Sequence, residues 1–287
     1  MTGAIGASAA AIQHHYDVGN EFFQLWLDPT LCYSCALWHG EDDTLLAAQQ
    51  RKLDYLADSA RATGRARVLD VGFGWGGLLR RLVERHAVGH VTGLTLSRAQ
   101  AGFVRGWADD RYDLRVESWS DHEPTHGYDA IISIGAFEHF ADAALSREER
   151  VAGYRAFFQR CRDWLPAGGR VAVQTIVKGN NVVMDRATVR DMLFVNRHIF
   201  PESEVPWTSE IIEASERMFE VVSTRHDADH YARTCELWLR SLRDKHIQAA
   251  EVVGEEMTAD YERYLAASVA AFRKRHVNLL RIVFERV

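Results

Sequence analysis

A chain of 287 residues, 47% hydrophobic and 26% charged, is long enough to bury a sizeable core and reads as one large α/β domain. Its 34 basic residues against 40 acidic ones give a net charge of −6, which disfavours nucleic acid or an anionic membrane as a partner held by bulk charge. No apolar run approaches the roughly 18 residues of a membrane span, and the start, MTGAIGASAAAIQ, lacks the basic residues and long apolar stretch of a secretory signal.

In chain order, AIQHHYDVGNEFFQLWLD predicts two short amphipathic helices broken at Gly19. CYSCALW (32–38) follows. Its C-x-x-C spacing has no second ligand pair for a structural zinc. A redox dithiol should lead a helix after a strand, whereas Pro29 precedes this pair and aromatic residues surround it. No metal site is expected. Four cysteines (Cys32, Cys35, Cys161, Cys235) in a chain this long do not make a disulfide framework, and the expected location is cytoplasmic. Residues 44–62 predict a longer helix ending near Gly64.

Strands then alternate with helices. ARVLDVGFG is a strand entering a glycine turn, WGGLLRRLVERHA a helix and HVTGLTL a strand. Ser97 caps the next helix, and DLRVES and YDAIISIGAF are strands. Ser146 and Glu149 form a capping box for a helix ending at LPAGG, and GRVAVQTIV is a strand. Near the end, a helix from Pro206 and Thr208 to Met218 precedes the strand FEVVSTRH. Helices over about 229–253 and 257–273 follow, and LLRIVFERV closes the chain as a strand. The pattern predicts a doubly wound, mostly parallel sheet with an antiparallel last strand. The expected organisation is one domain over 1–287: a helical cap (1–63), a cofactor-binding core (64–178), and lid helices with the last two strands (179–287) above the carboxyl ends of the sheet. The densest basic run, FRKRH, reads first as a solvated turn.

The strongest local signal is VLDVGFGWGG (68–77). An apolar strand delivers Asp70, and Gly72, Gly74, Gly76 and Gly77 follow in a tight turn onto a helix, where doubly wound sheets bind nucleotides. The Walker lysine is absent, so a P-loop is excluded. Gly72, Gly74 and Gly77 match a bare G-x-G-x-x-G, but the next strand ends in Thr95 and Ser97 with no acid for a nicotinamide ribose. The D-x-G-x-G form suits S-adenosylmethionine, whose ammonium seeks a carbonyl or carboxylate. Another nucleotide enzyme and a purely structural turn stay open at this point.

HHYDVGNEFFQLWLDP, YSCALW, VLDVGFGWGG, LTLSRAQ, SIGAFEHF, FFQRCRDWLPAGG, IFPESEVP and HYARTCELW occur in this order. Along nearly the whole chain they resemble the cyclopropane-fatty-acid synthase family of methyltransferases. SIGAFEHF and EEMTADYERYLAASVAAFR are most similar to its mycolic acid cyclopropane synthase branch. The resemblance implies S-adenosylmethionine as donor and, often, an alkene of a lipid chain as acceptor. It implies donor contacts at Tyr33, Ser34, Gly72, Gly74, Thr95, Gln100 and Trp119, with Asp70 at the head of the glycine loop. It also implies a bound bicarbonate among Cys35, Glu138, Tyr231 and the position of Gln174, with Ile176 nearby. Glu138 is the expected proton acceptor or the holder of one, and His139 a supporting residue. Tyr16, Tyr33, Phe137 and Phe140 offer aromatic faces to a carbocation.

Three departures stand out. Phe73 replaces a cysteine usual in the glycine loop, which alters packing. Gln174 stands where cyclopropanating members carry histidine, and glutamine cannot carry a proton as imidazole does, which puts bicarbonate and ring closure in question. Plant alkaloid N-methyltransferases of the family resemble this chain there. The stretch between QTI and IFP is shorter than the mycolic branch suggests. The favoured function is therefore C-methylation of an unsaturated lipid or isoprenoid-like acceptor, without nucleic-acid binding or stable membrane insertion. N- or C-methylation of a small secondary metabolite is the alternative.

Overall fold

The computed structural model describes residues 18–107, 109–142, 144–201 and 203–287. The first predicted helix, with Tyr16, lies largely outside them. The second is α1 (Asn20–Trp26), which begins after Gly19 at φ 110° and buries Phe22, Phe23 and Trp26. In α2 (Leu45–Ser59) the Thr44 hydroxyl accepts from the Ala47 amide, and Gln49, Lys52, Leu53 and Leu56 turn inward.

The core alternates β1 (Arg67–Val71), α3 (Gly77–Glu84), β2 (His90–Thr95), α4 (Arg98–Arg105), β3 (Tyr112–Val116), β4 (Ala130–Ile134), α5 (Arg147–Trp164) and β5 (Arg170–Lys178). Both expected caps form: Ser97 accepts from the Gln100 amide, and Ser146 and Glu149 exchange bonds as a capping box. The seven strands lie in the order β3-β2-β1-β4-β5-β7-β6. β1 to β5 pair in parallel, while β7 (Val277–Arg286) runs antiparallel to both β5 and β6 (Phe219–His226). The strand order reverses between β1 and β4. The chain therefore leaves those two strands towards opposite sides and opens a crevice at their carboxyl ends.

Phe73 lies over Gly93 of β2, where a Cβ would stand 2.7 Å from its ring. The cysteine-to-phenylalanine departure is thus absorbed by a bare backbone on the neighbouring strand. The helices covering the crevice differ in detail from the sequence reading. The stretch after QTI, to which no element was assigned, holds α6 (Arg186–His198), started by Asp185 accepting from the Thr188 amide at 2.7 Å. α7 is shorter than expected (Thr208–Ser215). The stretch read as one helix to Val253 is two, α8 (Ala228–Asp244) and α9 (His246–Val253), because Lys245 leaves helical geometry at φ −114°, ψ 21°. Gly254 at φ 87° then starts α10 (Glu255–Arg273). α8 to α10 connect β6 to β7, and α6 packs on α10.

Candidate active site

Two cavities meet over the carboxyl ends of β1, β4 and β5. The first is floored by the glycine loop and lined by all eight residues expected around the donor: Tyr33, Ser34, Asp70, Gly72, Gly74, Thr95, Gln100 and Trp119. Gly72 is at φ +89°, and a Cβ there would stand 2.6 Å from that of Ala136, so the loop admits no side chain at this point. Thr95 donates to Gln100 Oε1 at 2.9 Å, leaving Gln100 Nε2 buried with no partner among the described residues. Asp70 Oδ2 is likewise buried and unpartnered. Burial raises the Asp70 carboxyl to about 7, with the Lys52 charge opposing. Two unsatisfied polar atoms facing one glycine-lined cavity are the signature of a site completed by a ligand. A donor bearing an ammonium and hydroxyl groups fits them.

Lys52 and Gly135, not foreseen from sequence, also line this cavity. Lys52 is 1% exposed and donates to Ser34 Oγ at 2.8 Å. A charged residue on the inward stripe of an amphipathic helix was the available signal. Gln49, one turn earlier, donates to the carbonyls of Cys32 and Ser34 at 3.1 and 2.8 Å. Together they fasten CYSCALW to α2. Cys32 packs against Gly77, where a Cβ would come within 2.8 Å of its sulfur.

The second cavity is larger, about 240 Å³ against about 150 Å³. Met192, Val195, Phe200, Tyr264 and Phe272 form much of its wall, Glu138, His139, Ile176 and Tyr231 also line it, and it shares Tyr33, Gly135 and His139 with the first. Glu138 sits in a one-turn 3-10 helix just past β4. Its Oε1 accepts from the Ile176 amide at 2.6 Å, while its buried Oε2 has no partner among the described residues. Burial raises its pKa, with the Ile176 bond partly opposing. Burial lowers His139 to about 4, so the ring is neutral near pH 7, and its Nδ1 lies 2.9 Å from the Ser203 hydroxyl. Burial pushes the Tyr231 hydroxyl well above its ordinary range. The Tyr33 hydroxyl donates to that of Tyr264 at 3.0 Å.

Cys35 and Gln174, expected in the same site, line neither cavity. They belong to a buried cluster built on Arg281 of β7, which is 1% exposed. Arg281 donates to Gln174 Oε1 at 2.8 Å, to the carbonyls of Cys35 and Ala36 at 3.3 and 3.1 Å, and to Asp227. Gln174 Nε2 donates to the Cys35 carbonyl at 3.3 Å, so both ends of its amide are engaged. Cys35 Sγ faces the Ala36 carbonyl and Arg281, and burial raises its thiol to about 12, which keeps it protonated. This pair is not placed to hold a bicarbonate ion in either cavity: Gln174 is engaged by Arg281 and the Cys35 carbonyl, and the Cys35 thiol by the Ala36 carbonyl. The expectation for this pair is corrected on that ground. An arginine inside the apolar strand LLRIVF was the signal that sequence reading passed over. Phe137 is also misplaced by the sequence reading. It is fully buried against Tyr154 and Phe158 under the sheet, while Phe140 lines the first cavity.

Comparison with known proteins agrees with this geometry. The family described as mycolic acid cyclopropane synthetase matches residues 6–282. The S-adenosylmethionine-dependent methyltransferase UmaA of Mycobacterium tuberculosis is 34% identical over 275 residues, covering 91% of this chain and 92% of that one. Cyclopropane mycolic acid synthase 2 of Mycobacterium leprae is 33% identical over 286 residues, covering 94% and 91%. Among solved structures, the mycolic acid cyclopropane synthase CmaA1 complexed with SAH and CTAB superposes with a TM-score of 0.89 at 31% identity, over 98% of this chain and 99% of that one. Coclaurine N-methyltransferase, at 18% identity and a TM-score of 0.81 over 99% of this chain and 84% of that one, shares the fold. The glycine-loop cavity, the helix-walled chamber beside it and these matches along nearly the full length converge: this chain belongs to the mycolic acid cyclopropane synthase family of S-adenosylmethionine-dependent methyltransferases.

Proposed function

We propose that this methyltransferase transfers the methyl group to an alkene carbon of an unsaturated lipid or isoprenoid-like chain, and that Glu138 accepts the proton released. The observation carrying this reading is the second cavity: a mostly apolar chamber whose inner end holds a carboxylate with one unpartnered oxygen. An alkyl chain satisfies such walls, and a buried carboxylate is a stronger base than one in water. The names of the cyclopropane mycolic acid synthases, and the CTAB held by CmaA1, support an apolar acceptor.

When bound, S-adenosylmethionine supplies an electrophilic methyl group. Ser34, held by Lys52, would position its amino-acid end with Asp70 and the Gly72–Gly74 backbone, while Thr95, Gln100 and Trp119 would take the nucleoside. Tyr33, Gly135 and His139, shared by the two cavities, mark where methyl and alkene meet. Tyr33, Tyr231 and Tyr264 present aromatic faces to the cationic carbon that methylation creates. The Ile176 amide fixes one oxygen of Glu138 and leaves the other free for the proton. With His139 neutral, it adds no positive charge beside the cation. No step passes through bicarbonate.

The test supplies methyl-labelled donor with separate pools of unsaturated lipids, prenyl diphosphates and amines, and identifies labelled products by mass spectrometry. Label on carbon in the lipid or prenyl pool is the expected result. Label confined to amines would replace this reading with the small-metabolite one.

A further inference from the structure

α6 is a single-layer wall. Its inward residues Thr188, Met192 and Val195 line the second cavity, whose outer rim reaches solvent at Ala187 and Lys274. Its outward stripe is Arg186, Val189, Arg190, Leu193 and Arg197, residues three or four apart that share one helical face. Val189 is 42% and Leu193 54% exposed, and in the loop just before the helix Val182 and Val183 are 70% and 83% exposed. Neighbouring Arg263 and Lys274 are paired with Asp191 and Asp185. Arg186, Arg190 and Arg197 make no ion pair or hydrogen bond among the described residues. An apolar strip flanked by unneutralised arginines and lining a shallow surface depression, on a chain of net charge −6, is a local feature without a partner among the described residues.

We propose that this face docks the enzyme on an anionic lipid bilayer, so that an acceptor chain enters the second cavity from the membrane surface. The arginines match lipid phosphates, and the valines match the boundary between headgroups and acyl chains. Val182 and Val183 project from the loop beside the arginines, so one surface offers apolar side chains and cationic groups together, the pairing a lipid headgroup region takes up. No helix among the described residues is long and apolar enough to cross a membrane, so contact is made from the surface. A net negative charge therefore does not exclude an anionic membrane once the charge is distributed this way.

The test is flotation of the full chain with vesicles of equimolar phosphatidylglycerol and phosphatidylcholine, and with phosphatidylcholine alone. Partition requires no turnover, so this inference stands or falls separately from the acceptor assignment. The wild type is expected on anionic vesicles, less so at high salt. R186Q/R190Q/R197Q lowers partition about 100-fold, at about fivefold per charge, and V182S/V183S lowers it about 10-fold. Both variants retain wild-type turnover of an acceptor dispersed in detergent, which shows the fold and cavity intact. Wild-type protein that ignores anionic vesicles, or variants that bind as well as it does, would overturn the proposal. So would binding through α6 to an acidic acyl-carrier protein with no binding to vesicles.

Discussion

Around the first cavity, most of the contacts that shape the site join residues close in sequence. Thr95 reaches Gln100 five positions on, Lys52 reaches Ser34 eighteen back, and inside the glycine loop the Gly76 amide donates to the Phe73 carbonyl. Around the second, contacts span the chain. Tyr33 meets Tyr264, Arg281 meets Gln174 and the Cys35 carbonyl, and Glu138 is held by the amide of Ile176. Donor recognition is thus written in short motifs. The second cavity depends on where the helices after β5 come to rest.

The sharpest way to break this division is to fill one cavity and leave the other. Ala267 lines the second cavity alone. Ala267→Phe should lower kcat/KM for an alkenyl acceptor by about 100-fold through misplacement, with donor affinity by calorimetry unchanged. Loss of donor binding would show that the cavities are not separable. The buried cluster supplies a stability test. Arg281→Ala strips a buried cation from Asp227, Gln174 and two carbonyls, and should cost about 3–5 kcal/mol in denaturant unfolding. A cost below about 1 kcal/mol would mean that the cluster does not anchor Cys35 and Ala36.

The donor side predicts a pH effect. Asp70 titrates at about 7 in the folded chain against 3.8 for an unperturbed aspartate. The folded state therefore holds a proton that the unfolded state has released. Without donor, the contribution of this group to stability falls as pH rises from about 4 to 7. Asp70→Asn should stabilise the donor-free chain at pH 8 by about 2–4 kcal/mol while weakening donor binding, measured by thermal unfolding with and without S-adenosylhomocysteine. A smaller difference is expected at pH 5. The least effect belongs to Gln174→His. Because position 174 faces Arg281 and not the cavity, added bicarbonate should change its turnover by less than about twofold, a difference within about 0.4 kcal/mol. A clear bicarbonate response would return the ion to the site.

These contrasts also explain what the sequence could and could not disclose. The strand–glycine–helix rhythm and the Ser97 and Ser146 caps were legible because each depends on neighbours a few positions away, whereas the eight residues lining the first cavity were expected only through the family resemblance. Glu138 was legible as a carboxylate at a strand's carboxyl end. The role of Gln174 was not, since its partner stands 107 residues later. α6 escaped notice because its outward face carries valine, leucine and arginine together, which blurs the usual apolar-in, polar-out pattern. The break at Lys245 had no glycine or proline to announce it.

The central claim is that Glu138 takes the proton after methylation in the second cavity. The direct measurement is kcat on an unsaturated acyl acceptor at saturating donor for wild type and Glu138→Gln, with donor affinity measured alongside. Glutamine keeps an oxygen that can accept from the Ile176 amide but cannot accept the proton. A fall in kcat of about 10²- to 10⁴-fold, with donor affinity unchanged, is predicted. A variant that turns over within about tenfold of wild type, at any pH, would contradict the account.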